Sequence, residues 1–346
     1  MFQIREATHA DNEALLRLEA ESPQGTGISL LIDREDYFYR SRVHDRTRVM
    51  LALEREKIVG VMAYALKEAL LDGEMRPVAY FYDLRGEATY RRSMKRGLFR
   101  LWKVILEQIE EDRAEFIYGH VKADNFDSLN VATRMGAQIA ASFNILALPS
   151  LAGKVVPFDD HLNQLDEETE RIASFVGDRT MRPLDIAAPY RRGAELGYLK
   201  GIYRIEEGGS FAQFSLWDLS RIYCTRVLRM PLSLRILGTV LNPLSNTLPL
   251  PRVPRVDQKI TYLQMFDSIC HGPHGKRLMK RLIQQTRRNA HAEGIDILTL
   301  FAYADDPLIV LPRFFPQEVL RYHTMVRPVT SDRLPTPPLY IDIRDI

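Results

Sequence analysis

The apolar positions of this chain repeat with two periods, and the switch between them marks its elements. Val78-Ala79-Tyr80-Phe81-Tyr82-Asp83-Leu84 is an aromatic and β-branched run, and after a basic stretch Leu98, Leu101, Trp102, Ile105, Leu106 and Ile109 recur at helical spacing. That pattern predicts a strand, a basic loop and a long amphipathic helix. Ahead of it, residues 2–5 read as a short strand, and Thr8 reads as the N-cap of a helix with Asp11 and Glu13 in its first turn. Residues 33–43 read as a second helix, and residues 48–53 and 58–64 as a hairpin. Behind it come a strand over 115–121, a short helix over 125–135 closed by Gly136, and a strand over 138–148.

The same order then returns. Residues 149–157 mix Pro, Gly and Ser and set the expected boundary between a domain of residues 1–149 and one of residues 150–346. The second stretch reads as a helix over 161–176, an irregular segment over 179–192, and a hairpin of 198–205 with 210–218 turned by Glu206-Glu207-Gly208-Gly209. A strand over 260–266, a helix over 274–293, a strand over 297–303, a short helix over 307–315 and a strand over 319–326 complete it. Residues 219–256 are an insert between hairpin and strand. Its first part interleaves Ile222, Val227, Leu232, Leu234 and Ile236 with Arg221, Arg226, Arg229 and Arg235, which predicts a basic amphipathic helix broken at Pro231; its second part is proline-rich. Such an insert most often covers a sheet, with a lid or a membrane-surface segment as the other readings.

Composition narrows the class. The chain has 346 residues and a formal net charge of +2, with no long block of like charge, so nothing global points to nucleic acid. Cys224 and Cys270 form neither a disulfide framework nor a metal-ligand spacing. The first residues lack a signal-peptide core and no apolar run approaches a membrane span, so a cytoplasmic protein without metal or membrane contact is expected.

The candidate chemistry starts at the basic stretch. Backbone N–H groups at a helix N-terminus lack intrahelical partners and the helix dipole is positive there, so Arg91, Arg92, Lys95 and Arg96 are unfavourable in that turn unless an anion neutralises them. With the hairpin ending in Ile58-Val59-Gly60, the run Asp83-Leu84-Arg85 leading to Tyr90-Arg91-Arg92, and Asn125-Phe126-Asp127-Ser128-Leu129 closing at Arg134-Met135-Gly136-Ala137, the first half resembles the GNAT acyltransferase superfamily. The repeated order, with Leu216-Trp217-Asp218, Asp306-Pro307-Leu308 and Arg321-Tyr322, resembles its tandem-domain members.

The resemblance implies an α+β fold, three-layered, of two tandem GNAT-like units, each a mixed and mainly antiparallel sheet flanked by helices. It implies acetyl-CoA or another acyl-CoA as cosubstrate, held by Leu84, Arg85, Arg91, Arg92, Ser93, Met94, Lys95, Arg96, Gly97 and Asn125. The family's small residues are partly replaced here: from Arg91 their places hold Met94 and Arg96, and from Arg92 they hold Lys95 and Gly97. The family's tyrosine acid corresponds to Ala132. Tyr80 and Tyr82, on one strand face, and His120, with an imidazole's ordinary pKa, are the candidate proton-handling groups; packing roles are the commoner reading for each. Asp83 faces the other way unless a bulge intervenes. The expected activity is transfer of an acyl group, acetyl first, to a small-molecule amine. A non-catalytic acyl-CoA-binding descendant is the alternative, and a membrane-surface acyltransferase ranks behind both. The Pro273-containing stretch His271-Gly272-Pro273-His274-Gly275 is expected to be a turn and helix start, not a second phosphate loop.

Overall fold

The computed structural model describes residues 2–21, 28–86, 91–158, 161–245, 247–304, 318–330 and 333–346, with backbone alone at 91–94. The first half supplies β1 (Phe2–Glu6), α1 (Asn12–Ala20), β2 (Ser29–Ile32), β3 (Arg46–Glu54), β4 (Lys57–Leu71), β5 (Glu74–Gly86), α2 (Arg91–Glu111), β6 (Phe116–Lys122), α3 (Phe126–Arg134) and β7 (Gln138–Pro149). The second supplies α4 (Leu165–Val176), α5 (Ala187–Glu195), β8 (Leu199–Glu207), β9 (Ser210–Trp217), β10 (Thr225–Arg229) and α6 (Leu232–Leu244). It ends with β11 (Lys259–Ile260), β12 (Tyr262–His271), α7 (Gly275–Ala292), β13 (Ile297–Tyr303) and β14 (Glu318–Pro328).

Eleven strands form one mixed sheet in the order β1-β3-β4-β5-β6-β14-β7-β13-β12-β9-β8. Its centre is an exchange. β14, from the second half, lies between β6 and β7, while β7, from the first half, pairs with β13. Each half therefore lends the other its last strand.

Both faces of the sheet are covered, which makes the molecule three-layered. α2 sets Leu101, Ile105 and Ile109 on one face of the first half, and α7 sets Leu278, Leu282 and Ile283 on the matching face of the second. On the other face α1, with Leu15 and Leu18, and α4 and α5, with Ile172 and Tyr190, pack beneath the segment 339–346. Ile341 and Ile343 of that strap lie in the second half's core, and Leu339 lies in the first half's.

The duplication shows in a local device. Asp36 accepts a hydrogen bond from Phe38 N–H at 2.9 Å and holds Arg42, and Asp185 accepts from Ala187 N–H at 2.9 Å and holds Arg191. The two copies meet, because Arg192 donates to the carbonyl of Arg42 at 3.0 Å.

Several expectations are corrected. Residues 33–43 form no α-helix; β2 precedes a 3-10 turn at Tyr37–Val43. Residues 179–192 are not wholly irregular, since α5 begins at Ala187 under the Asp185 cap. The insert begins as a strand: β10 pairs with β2 and β11 in a separate three-stranded sheet, with a register shift between Val227 and Arg229 that sets Arg226 and Arg229 three apart, and the helix forms only after Pro231. The short helix expected over 307–315 lies outside the described residues.

Candidate functional site

β5 carries the site, and its irregularity explains how. Against β4 the register runs Gly60↔Gly86 and Val61↔Arg85 and then slips to Ala63↔Tyr82, a bulge in which Asp83 adopts φ +51°. The bulge turns Asp83 to the side of Tyr80 and Tyr82, since Arg40 reaches Asp83 at 3.1 Å and Tyr80 Oη at 2.6 Å. On its other edge β5 pairs in parallel with β6 only at Ala79↔Ile117 and Tyr80↔Tyr118. Phe81 C=O still approaches Gly119 so closely that a Cβ there would lie 2.8 Å away. Beyond this contact the two strands part, and the edge from Tyr82 to Gly86 has no ladder partner on that side among the described residues.

An ionic cluster braces the bulge. Arg34 bonds Glu19 at 2.8 Å and Asp83 at 3.0 Å, and Arg85 reaches Glu19 at 3.0 Å. Burial raises the Asp83 pKa, but Arg34, Arg40 and Arg85 outweigh it and hold the carboxylate down at about 2. Asp83 is therefore a fixed anion and no proton carrier. Arg40 stacks on the Tyr82 and Tyr223 rings at 4.8 and 4.9 Å, joining the 3-10 turn to the insert.

The strap closes the other side. Lys67 sits between Asp342 at 2.7 Å and Asp345 at 2.8 Å; Tyr118 donates to Asp345 at 2.7 Å, and Tyr80 donates to the Asp345 carbonyl. These partners are not foreseen from the sequence. Their signal is the pair Lys67-Glu68 after the apolar run 58–66, and the charged residues set among isoleucines in Ile341-Asp342-Ile343-Arg344-Asp345-Ile346.

Among the expected proton-handling residues, Tyr80, Tyr82 and His120 do share one side: the Tyr80 ring is 5.5 Å from Tyr82 and 5.7 Å from His120. Burial pushes Tyr82 up to about 12 and Tyr80 well above its ordinary value, so both are neutral phenols that can donate a hydrogen bond. Burial, with Lys67 and Arg40, pushes His120 down to about 3. His120 Nδ1 lies 3.2 Å from Thr324 Oγ1, and its Nε2 is buried without a partner.

The expected cofactor residues separate. Leu84 borders the parted edge, whereas the Arg85 side chain points to Glu19. Residues 91–97 lie in the first turns of α2, not in a loop. Lys95 and Arg96 are exposed there, and the side chains of Arg91, Arg92, Ser93 and Met94 lie outside the described residues. Gly97 faces the sheet: a Cβ there would lie 3.1 Å from Val59, so its smallness serves helix packing. Asn125 caps α3, accepting from Ser128 N–H at 3.1 Å.

The second half repeats the scaffold with other chemistry. β12 bulges between Phe266 and Ile269, Asp267 has φ +46°, and the pairing with β13 stops at Met265↔Leu300. Here Asp267 meets tyrosines: Tyr190 donates at 2.6 Å and Tyr340 at 3.1 Å, and burial outweighs these bonds and raises its pKa to about 7. The connection to α7 is filled from within. Ser210 Oγ accepts from His274 N–H at 3.2 Å, and Gly272 packs on Ser210, as a turn and helix start require. No three His, Cys, Asp or Glu side chains gather to hold a metal among the described residues.

This architecture is that of the tandem GNAT and N-myristoyltransferase folds. The structure superposes on Saccharomyces cerevisiae N-myristoyltransferase with bound myristoyl-CoA with a TM-score of 0.60 and 10% identity, over 94% of this chain and 79% of that one. It superposes on a tandem GNAT protein from the clavulanic acid biosynthesis pathway with a TM-score of 0.53 and 14% identity, over 96% of this chain and 100% of that one. No protein-family model matches the sequence, and no curated protein matches it.

Proposed function

We propose that the protein is an acyl-CoA-dependent N-acyltransferase whose donor site lies in the first half. The observation that carries this reading is the parting of β5 and β6 beside the Asp83 bulge, with the N-terminus of α2 shortly beyond the same strand. A parted parallel pair offers an unpaired backbone edge to an extended amide chain, and a helix N-terminus suits a pyrophosphate. The exposed Lys95 and Arg96 add charge where the family's glycines are missing. The second-half counterpart is closed by Ser210, which favours the first half.

In this reading the cosubstrate brings the thioester, and the chain supplies position, polarisation and a proton. Backbone N–H at Asp83–Leu84, left out of the ladder by the bulge, would polarise the carbonyl. Tyr82, kept neutral by burial, would donate to the departing thiolate and recover the proton that the attacking nitrogen sheds, whereas the Tyr80 hydrogen is already given to the Asp345 carbonyl. His120 is too weak a base at about 3 to take an ammonium proton, so the amine would enter already neutral. The acyl group is acetyl in the simplest form, and the acceptor is a small-molecule amine.

Calorimetric titration with acetyl-CoA, CoA and a longer acyl-CoA tests this. Binding should be lost or weakened about tenfold or more in Arg92→Ala/Lys95→Ala, with unchanged melting, as expected for removing two phosphate contacts. Binding that ignores these substitutions moves the site to the second half. Binding without turnover on an amine panel identifies a non-catalytic acyl-CoA binder.

A further inference from the structure

The insert places its helix the wrong way round for a soluble surface. Residues 219–256 contain six arginines and no Lys, Asp or Glu. Within them, α6 is seated by the face that carries Leu234, packed against Val227, Met230 and Ile260, together with Gly238, Asn242 and Ser245. Gly238 is buried so close to Val253 that a Cβ would lie 3.2 Å from it. Asn242 clamps the Val253 backbone twice, donating at 2.9 Å and accepting at 2.8 Å, and Ser245 is fully buried. These contacts fix the helix rotation. They leave Leu232, Ile236, Val240 and Leu244, spaced four apart, and Leu237 beside them, turned to solvent with 68, 59, 59, 44 and 44% of their surface exposed. Amphipathic helices of globular proteins bury such a stripe.

Charge says what the stripe fits. Arg235 flanks it, Arg229 precedes the helix by one turn and Arg255 follows the clamped segment; all three are exposed and make no ion pair among the described residues. An isologous dimer over this patch would bring arginine rims together with no carboxylate from the insert between them. An anionic bilayer supplies both an apolar interior and phosphates at the rim. A 13-residue helix is about 20 Å long, which suits lying in the interface and not crossing it. No helix among the described residues is long and apolar enough to cross a membrane.

We propose that α6 and its arginine rim dock the protein on an anionic lipid surface, with Leu232, Ile236, Val240 and Leu244 entering the acyl layer. Docking is independent of the acyl-transfer reading, because vesicle binding needs no cosubstrate. Flotation of the full chain with phosphatidylcholine vesicles, with and without phosphatidylglycerol, tests it. The protein should float with the anionic vesicles only, and Ile236→Glu/Val240→Glu should reduce the bound fraction by about tenfold. Arg229→Gln/Arg235→Gln/Arg255→Gln should remove the salt-sensitive part of binding. All five substitutions are at exposed positions, and unchanged circular dichroism checks their folding. Failure to float, or flotation indifferent to both variants, overturns the proposal. A concentration-dependent dimer by sedimentation, dissolved by Ile236→Glu/Val240→Glu and without vesicle binding, overturns it in favour of a second copy.

Discussion

Asp83 and Asp267 stand at matching bulges with nearly the same backbone angle, and their surroundings make them opposite acids. Arginines hold one down at about 2, whereas burial lifts the other to about 7 against two tyrosine hydroxyls. A carboxyl raised above its unfolded value contributes stability that is complete below that value and lost as pH climbs through the folded one. Asp267 should therefore stabilise the fold near pH 4 and lose that contribution by about pH 8. The loss amounts to a few kcal/mol, since each tenfold weakening of the acid on folding is worth ~1.4 kcal/mol. Asp267→Asn keeps an oxygen for Tyr190 and Tyr340 but cannot ionise. Its melting temperature relative to the native protein should rise from about pH 4 to about pH 7 and level off above that. His120, pushed down to about 3, has the opposite dependence, but it is common to both proteins and cancels in the difference. A flat difference would mean that Asp267 keeps its ordinary acidity.

At the scale of elements, the hairpins and long helices are legible in the sequence because their information is local. The apolar runs over 48–53 and 58–64, split by the polar Glu54-Arg55-Glu56-Lys57, and the helical spacing in 98–109 need no distant partner, and β3, β4 and α2 appear where they point. The bulge is legible only as a condition: Tyr82-Asp83 and Phe266-Asp267 share a pattern, but only the register shift shows which side each carboxylate faces. β10 escapes the sequence because Arg226 and Arg229 are three apart, a helical spacing, and only the register shift between Val227 and Arg229 and the partners β2 and β11 make the run a strand. In the site, Tyr80, Tyr82 and His120 are found together, but Lys67 and Asp345 are not, because their meeting is a contact between residues 278 apart. One helix position tests packing directly. Gly193 of α5 lies against Trp217, and a Cβ there would fall 2.0 Å from the ring. Gly193→Ala should cost roughly 1–3 kcal/mol in chemical denaturation, as overpacking does. An unaffected midpoint would show that Trp217 can move.

For the whole molecule the decisive feature is the exchange of β7 and β14. Residues 1–149 alone would present β6 without its neighbour, and residues 150–346 alone would present β13 without its own. Expressed separately, the two pieces should give poorly dispersed NMR spectra or aggregate, and refolded together they should recover the native spectrum. A well-dispersed spectrum from residues 1–149 alone would show that the exchange is not needed for folding. The same feature has a consequence on the ribosome. Lys122 must wait for Tyr322, made about 200 residues later, before its strand has a neighbour on that edge. At ~5–20 residues per second the nascent first half would keep that edge open for about 10–40 s. Over that interval wrong strand partners compete for the open edge, so the yield of folded protein should depend on the pace of translation as well as on the stability of the finished sheet.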